Sequence, residues 1–108
     1  MSKRPCNKLV RDNIPNIIDS QKGRKANWRI LDNEQYLQEL NKKLIEEANE
    51  FIEANDIEEL ADLIEVIESI MKVKEFEWEE VKKQQDIKRE KNGGFEDRIY
   101  LDFIEEEA

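Results

Sequence analysis

Two blocks of apolar residues at helical spacing, set back to back across a tight turn, constrain the fold of this chain more than any other feature. In the first, Leu37, Leu40, Leu44, Ala48 and Phe51 recur at the three- and four-residue steps of one helix face, flanked by Tyr36, Ile45 and Ile52. Asp32 or Asn33 stands where the cap of this helix belongs, and the pattern runs to about Phe51–Glu53. Ala54-Asn55-Asp56 forms the turn, and Asp56 with Glu59 makes a capping-box pattern for the next helix. That helix, Ile57 to about Val73, is apolar over most of its circumference through Leu60, Ala61, Leu63, Ile64, Val66, Ile67, Ile70 and Met71. A helix with so little polar surface needs partners on several sides, and the short turn makes it antiparallel to its predecessor.

The expected fold is therefore all-α, an antiparallel helical bundle completed by oligomerisation, within a single domain over residues 1–108. Around the hairpin the signals are shorter. Asn13-Ile14-Pro15 followed by Ile17-Ile18 predicts a brief helix with Pro15 in its first turn, and residues 20–27 read as a polar loop. A further helix is expected from about Glu75 to Lys91, polar except for Phe76, Trp78, Val81 and Ile87, and stopped by Asn92-Gly93-Gly94. Trp28 to Leu31 looks extended and Arg98 to Phe103 alternates like a strand, which leaves room for a small two-stranded ribbon pairing residues 28–31 with 98–102. Glu105-Glu106-Glu107 reads as a frayed acidic end.

Composition narrows the chemistry. There is no histidine, which removes the commonest general base and the usual zinc ligand, and Cys6 is the only cysteine. The net charge of −9 disfavours direct binding of DNA or RNA through phosphates. No apolar run approaches the roughly 20 residues of a membrane span. Met1 to Asn13 carries no apolar stretch of the kind a secretory signal uses, so a cytoplasmic location is expected. Hydrophobic content of 38% in 108 residues supports only a modest core, which favours burial by self-association as a dimer or tetramer. What remains for chemistry is carboxylates, lysines, arginines and a hard metal.

Glu46-Glu47-Ala48-Asn49-Glu50 and Glu59-Leu60-Ala61-Asp62 face each other across the turn. As strings they are weak signals in a chain with 27 acidic residues, and a solvated helix face is the ordinary reading. Helical position changes that. Glu47 projects between the directions of Tyr36 and Leu40, inside the apolar arc, with Glu50 at its edge and Glu46 outside. Glu59 projects between Val66 and Ile70 with Asp62 beside it, whereas Glu58 and Glu65 point to the polar side. Glu68 also projects into the apolar arc without belonging to a motif, and Glu59 has a competing role as the second half of the capping box. Carboxylates converging in a half-buried seam repel one another and lose hydration, and Mg²⁺ or Mn²⁺ is the usual remedy.

In this order these residues resemble the signature of the all-α nucleotide pyrophosphohydrolases, which include the MazG-like enzymes, phosphoribosyl-ATP pyrophosphohydrolase and the all-α dUTPases. Asn7-Lys8-Leu9-Val10-Arg11-Asp12-Asn13-Ile14-Pro15 near the start resembles a small MazG-like branch of that group. So does Lys88 with Gly93-Gly94-Phe95 and Arg98-Ile99-Tyr100-Leu101 near the end. The resemblance implies Mg²⁺-dependent hydrolysis of a nucleoside triphosphate between its α- and β-phosphates, giving the monophosphate and pyrophosphate, as in house-cleaning enzymes. It implies Glu47, Glu50, Glu59 and Asp62 as metal ligands, and Glu46 either as a residue supporting them from behind or as one that orients the attacking water. Lys8, Arg11 and Lys88 then become candidates for phosphate oxygens, and Asp12 for orienting Arg11 or contacting the nucleotide, with a helix cap as its equally weighted structural role. Gly93-Gly94 offers backbone N–H groups to a phosphate, although a helix end explains both glycines. Trp28, Tyr36, Trp78 and Phe95 are candidates to stack on a base, with packing the simpler role for each. Residues 51–58 leave no inserted loop between the two acidic motifs. Two alternatives stand beside this reading: phosphoribosyl-ATP as the substrate, or a non-enzymatic acidic helical module that binds a partner.

Overall fold

The computed structural model describes residues 2–108 and is all-helical, with no strand among them. Four helices follow one another along the chain: α1 (Ile14–Asp19), α2 (Asn33–Ala54), α3 (Ile57–Lys74) and α4 (Trp78–Asn92). The residues through Glu75 form one compact unit, and Phe76–Ala108 form a second.

In the first unit, each long helix starts where an aspartate can take up an unpaired backbone N–H. The Asp32 carboxylate accepts from Gln35 N at 2.8 Å, and the Asp56 carboxylate accepts from Glu59 N at 2.9 Å. Only this half of the anticipated capping box is made through Asp56, because Glu59 Oε2 has no hydrogen-bond partner. Asn55 takes the left-handed conformation (φ 56°) and donates its N–H to Phe51 O at 2.8 Å, which ends α2 and reverses the chain. Asn tolerates that conformation better than most residues with a Cβ.

The two helices then pack along their lengths. Leu40 and Met71 are the buried hydrophobic residues among those described, at 3% and 8% exposure. Around them Tyr36, Leu37, Leu44, Ala48 and Phe51 of α2 meet Leu63, Val66, Ile70 and Val73 of α3, all half-buried. This is the apolar face expected for α2. For α3 the packing is narrower than its composition suggests, since Ile57 (84% exposed), Leu60, Ile64 and Ile67 lie outside the pairing with α2 and face solvent. Glu68, expected in the apolar arc, is exposed. α1 starts with Pro15 in its first turn, and its terminal Asp19 carboxylate receives the N–H of Ala26 at 2.8 Å, holding the following loop.

In the second unit α4 begins at Trp78, three positions after the expected start. Glu75 explains the delay, since it adopts φ 58° and ψ 36°, a left-handed conformation that ends α3 and cannot also open a helix. Gly93 (φ 85°) closes α4, as its position after Asn92 predicts. The ribbon allowed for residues 28–31 and 98–102 does not form, and both stretches lack ladder structure. Ile99, Tyr100 and Leu101 are exposed at 84%, 85% and 69%, so their alternation buries neither face and nothing offsets the cost of ordering an isolated pair of strands.

Candidate metal centre

The seam between α2 and α3 is apolar at its centre and acidic toward the turn. Glu47 lies one helical turn from Leu44 and Phe51, on the same packed face, and is half-buried with them. Across the seam Glu59 and Asp62 sit in the first two turns of α3, also half-buried, and the positive end of the helix dipole favours a carboxylate at Glu59. The Asp56 cap and the left-handed Asn55 set where α3 begins, and so bring its first turns opposite the last turns of α2.

Two overlapping groups of carboxylate oxygens result. Glu46, Glu47 and Glu50 form one, and Glu47, Glu59 and Asp62 form the other; within each, one oxygen from every residue lies within 4.8 Å of the rest. Glu47 belongs to both. Glu47 Oε2 and Glu59 Oε2 are buried and have no hydrogen-bond partner, the only such side-chain atoms among the described residues. Loss of hydration pushes the Glu47 carboxyl up to about 7, with the Glu50 side chain and the Asp62 carboxylate adding to the rise and Lys43 opposing it. The Glu59 carboxyl is raised as well, first by lost hydration and then by the negative charges of Glu50, Asp62 and Asp56. Glu50, itself exposed, therefore acts on both half-buried acids.

The structure brings the predicted residues together unevenly. Glu46 is exposed, as its helical position requires, yet its long side chain reaches the group containing Glu47 and Glu50 and pairs with Lys43 at 3.7 Å. Lys43 is a neighbour that the sequence reading left out, although its spacing from Glu46 and Glu47 places it on their face. Arg11 joins the centre directly, its Nη2 lying 2.7 Å from Asp62 Oδ1. Lys8 and Asp12 lie in the same segment and are exposed, and the α1 cap position is taken by Asn13 rather than Asp12. Lys88, Gly93 and Gly94 belong to the second unit. There Lys88 is exposed on α4, Gly93 serves as the helix cap, and a Cβ at Gly94 would displace the flexible ends of the Glu96 and Arg89 side chains.

The donor set suits a hard divalent ion. Every ligand on offer is a carboxylate oxygen, and the two buried unpaired oxygens are what a cation would satisfy. Glu47, Glu59 and Asp62 would supply three donors to such an ion, fewer than Mg²⁺ takes, so that water or ligand oxygens would make up the rest. Zinc is poorly served, for the chain has no histidine and Cys6 is exposed. In comparisons with protein-family models, curated proteins and solved structures, nothing matches this chain.

Proposed function

We propose that this chain is a Mg²⁺-dependent nucleoside triphosphate pyrophosphohydrolase of the MazG-like, all-α type, releasing pyrophosphate and a nucleoside monophosphate. The observation that carries the reading is the pair of buried, unpartnered oxygens of Glu47 and Glu59 within a carboxylate cluster drawn from both arms of the hairpin. A purely structural seam would place apolar or hydrogen-bonded atoms there, because an unsatisfied buried carboxylate destabilises the fold.

In this reading Glu47, Glu50, Glu59 and Asp62 hold the ion, with Mn²⁺ an acceptable substitute. When bound, Mg²⁺ supplies charge neutralisation at the phosphates and a lowered pKa for the attacking water. Glu46, exposed at the cluster's rim, accepts a hydrogen bond from that water and fixes its line of approach. Lys8 and Arg11, of the same unit, are the proposed contacts to phosphate oxygens, Arg11 in the bidentate manner a guanidinium permits.

Self-association belongs to the same reading. Ile57, Leu60, Ile64 and Ile67 recur at three- and four-residue steps along the uncovered face of α3, with 36% to 84% exposure, a stripe suited to another helix. We expect a homodimer or homotetramer, and Ile64→Glu to give a monomer by sedimentation equilibrium.

The test of the activity is pyrophosphate release from a panel of normal and modified nucleoside triphosphates and phosphoribosyl-ATP, with Mg²⁺ and with chelator. Turnover of at least one substrate that needs the ion and is lost in Glu47→Gln is expected. Inertness toward the whole panel would sink the enzymatic assignment.

A further inference from the structure

Arg11 presents a problem for the function just proposed, because a group wanted for phosphate is already bound to Asp62, a residue wanted for the metal. The pairing is a single contact, Nη2 to Oδ1 at 2.7 Å, between side chains that are 58% and 41% exposed. It spans 51 positions of sequence and ties the segment before α1 to the first turns of α3. Glu47, Glu59 and Asp62 together place three acids at one point, yet Arg11 reaches only the outermost, and the buried oxygens of Glu47 and Glu59 stay unpartnered.

We propose that Arg11 is a resident counter-cation of the cluster, held on Asp62 while no divalent ion is bound and displaced from it when one binds, so that occupancy of the centre frees the guanidinium for a phosphate. The inference rests on the metal-site reading above. Exposed ion pairs of this kind are weak, since solvent screens them and both side chains lose freedom on pairing. A dication held by Glu47, Glu59 and Asp62 neutralises the charge that attracts Arg11 and repels the guanidinium at short range. It also satisfies the two buried oxygens that Arg11 does not reach. The exchange therefore runs downhill at Asp62 and leaves an unpaired guanidinium beside the centre. Tri- and diphosphates are the ligands such a group recognises best, because its fork matches two phosphate oxygens at once. The order of binding follows: ion first, then the phosphate chain.

The test uses the full chain with Mn²⁺ as the ion and inorganic pyrophosphate as the anion. Titration calorimetry should show Arg11→Met binding Mn²⁺ about two- to fivefold more tightly than the wild type, the affinity lost to an exposed competing ion pair. Hydrogen exchange in the wild type should quicken across residues 8–12 on adding Mn²⁺, a readout that needs no variant. Pyrophosphate binding in the presence of Mn²⁺ should weaken about tenfold or more in Arg11→Met, as for loss of a charged hydrogen bond. Equal or weaker Mn²⁺ binding by Arg11→Met, or no change in exchange at residues 8–12, would mean that Arg11 merely braces Asp62, and the exchange is overturned while the metal centre stands. A wild-type protein that binds no Mn²⁺ removes the centre and the exchange together.

Discussion

Glu47 in the hairpin and Glu96 in the second unit are the same side chain held in opposite electrostatic states. Glu96 is open to solvent and hydrogen-bonded by Arg89, which holds its carboxyl below the usual range. Glu47 has lost much of its water, has an unpaired oxygen, and sits among further acids that push it up to about 7. Composition marks the difference only in part: Glu47 lies in an acidic stretch that also holds Lys42 and Lys43, and Glu96 in a mixed one with Arg89 and Arg98. The contrast shows that an acidic run becomes chemically distinctive where tertiary packing withdraws hydration and leaves carboxylate oxygens without a partner, as at Glu47 and Glu59. Along α4 the charges find each other, as Lys82 and Asp86 do at 3.5 Å, and the helix face is an ordinary solvated one.

The sharpest break of this comparison is an ion titration. Mg²⁺ or Mn²⁺ at a hundredfold excess over its Kd should stabilise the wild type by about 2.7 kcal/mol. For a chain of this length that corresponds to a rise in Tm of about 10–20 °C. The double variant Glu47→Gln, Glu59→Gln should show none of it, whereas Glu96→Gln should keep it whole. If the double variant melts higher with Mg²⁺ by as much as the wild type, the buried oxygens are not ligands.

Next in size is the pH dependence in chelator, where the two residues have opposite signs. Below pH 4.5 the Glu47 carboxyl is protonated in both folded and unfolded chains, so it does not bias folding. Between 4.5 and about 7 the unfolded chain gives up that proton while the folded chain keeps it, so stability falls as pH rises and levels off above about 7. Glu96, with its carboxyl lowered in the fold, contributes stability above 4.5 that is lost as pH falls through its folded value. Thermal melts from pH 4 to 8 should therefore flatten in Glu47→Gln. A wild-type Tm that climbs steadily across pH 5 to 7 would show that burial does not dominate at Glu47.

The smallest expected effect is at the ordinary helix face. Asp86→Asn removes an exposed pair and should change stability by about 0.5 kcal/mol or less in urea unfolding. Between these lies Glu75→Gly, which relieves a left-handed residue with a Cβ and should add about 0.5–1 kcal/mol.

Much of the hairpin was legible because its information is local. The caps at Asp32 and Asp56, the turn at Asn55 and the packed faces of α2 and α3 all follow from residues a few positions apart. Helical projection also separated Glu47, Glu59 and Asp62 from Glu58 and Glu65 correctly. It misplaced Glu68, because α3 shows α2 only one of the several apolar directions its sequence offers. Projection describes where a side chain leaves the helix and not how far it reaches, so Glu46 leaves α2 outside the apolar arc and its carboxylate still joins the group. The Arg11 to Asp62 contact spans 51 positions, beyond any spacing rule. The conformation of Glu75 was equally hidden, since glutamate carries no left-handed signature.

The turn at residues 54–56 also bears on how quickly the centre can be assembled. Glu47 and Asp62 are separated by little more than a dozen residues, so closing that loop loses little chain entropy and the contacts that define the cluster are sequence-local. Such a hairpin can form early in folding, ahead of any association along its outer stripe. Repulsion among its acids is then expected to slow that step, so a divalent ion present during folding should speed the refolding limb of a chevron plot more than it slows unfolding.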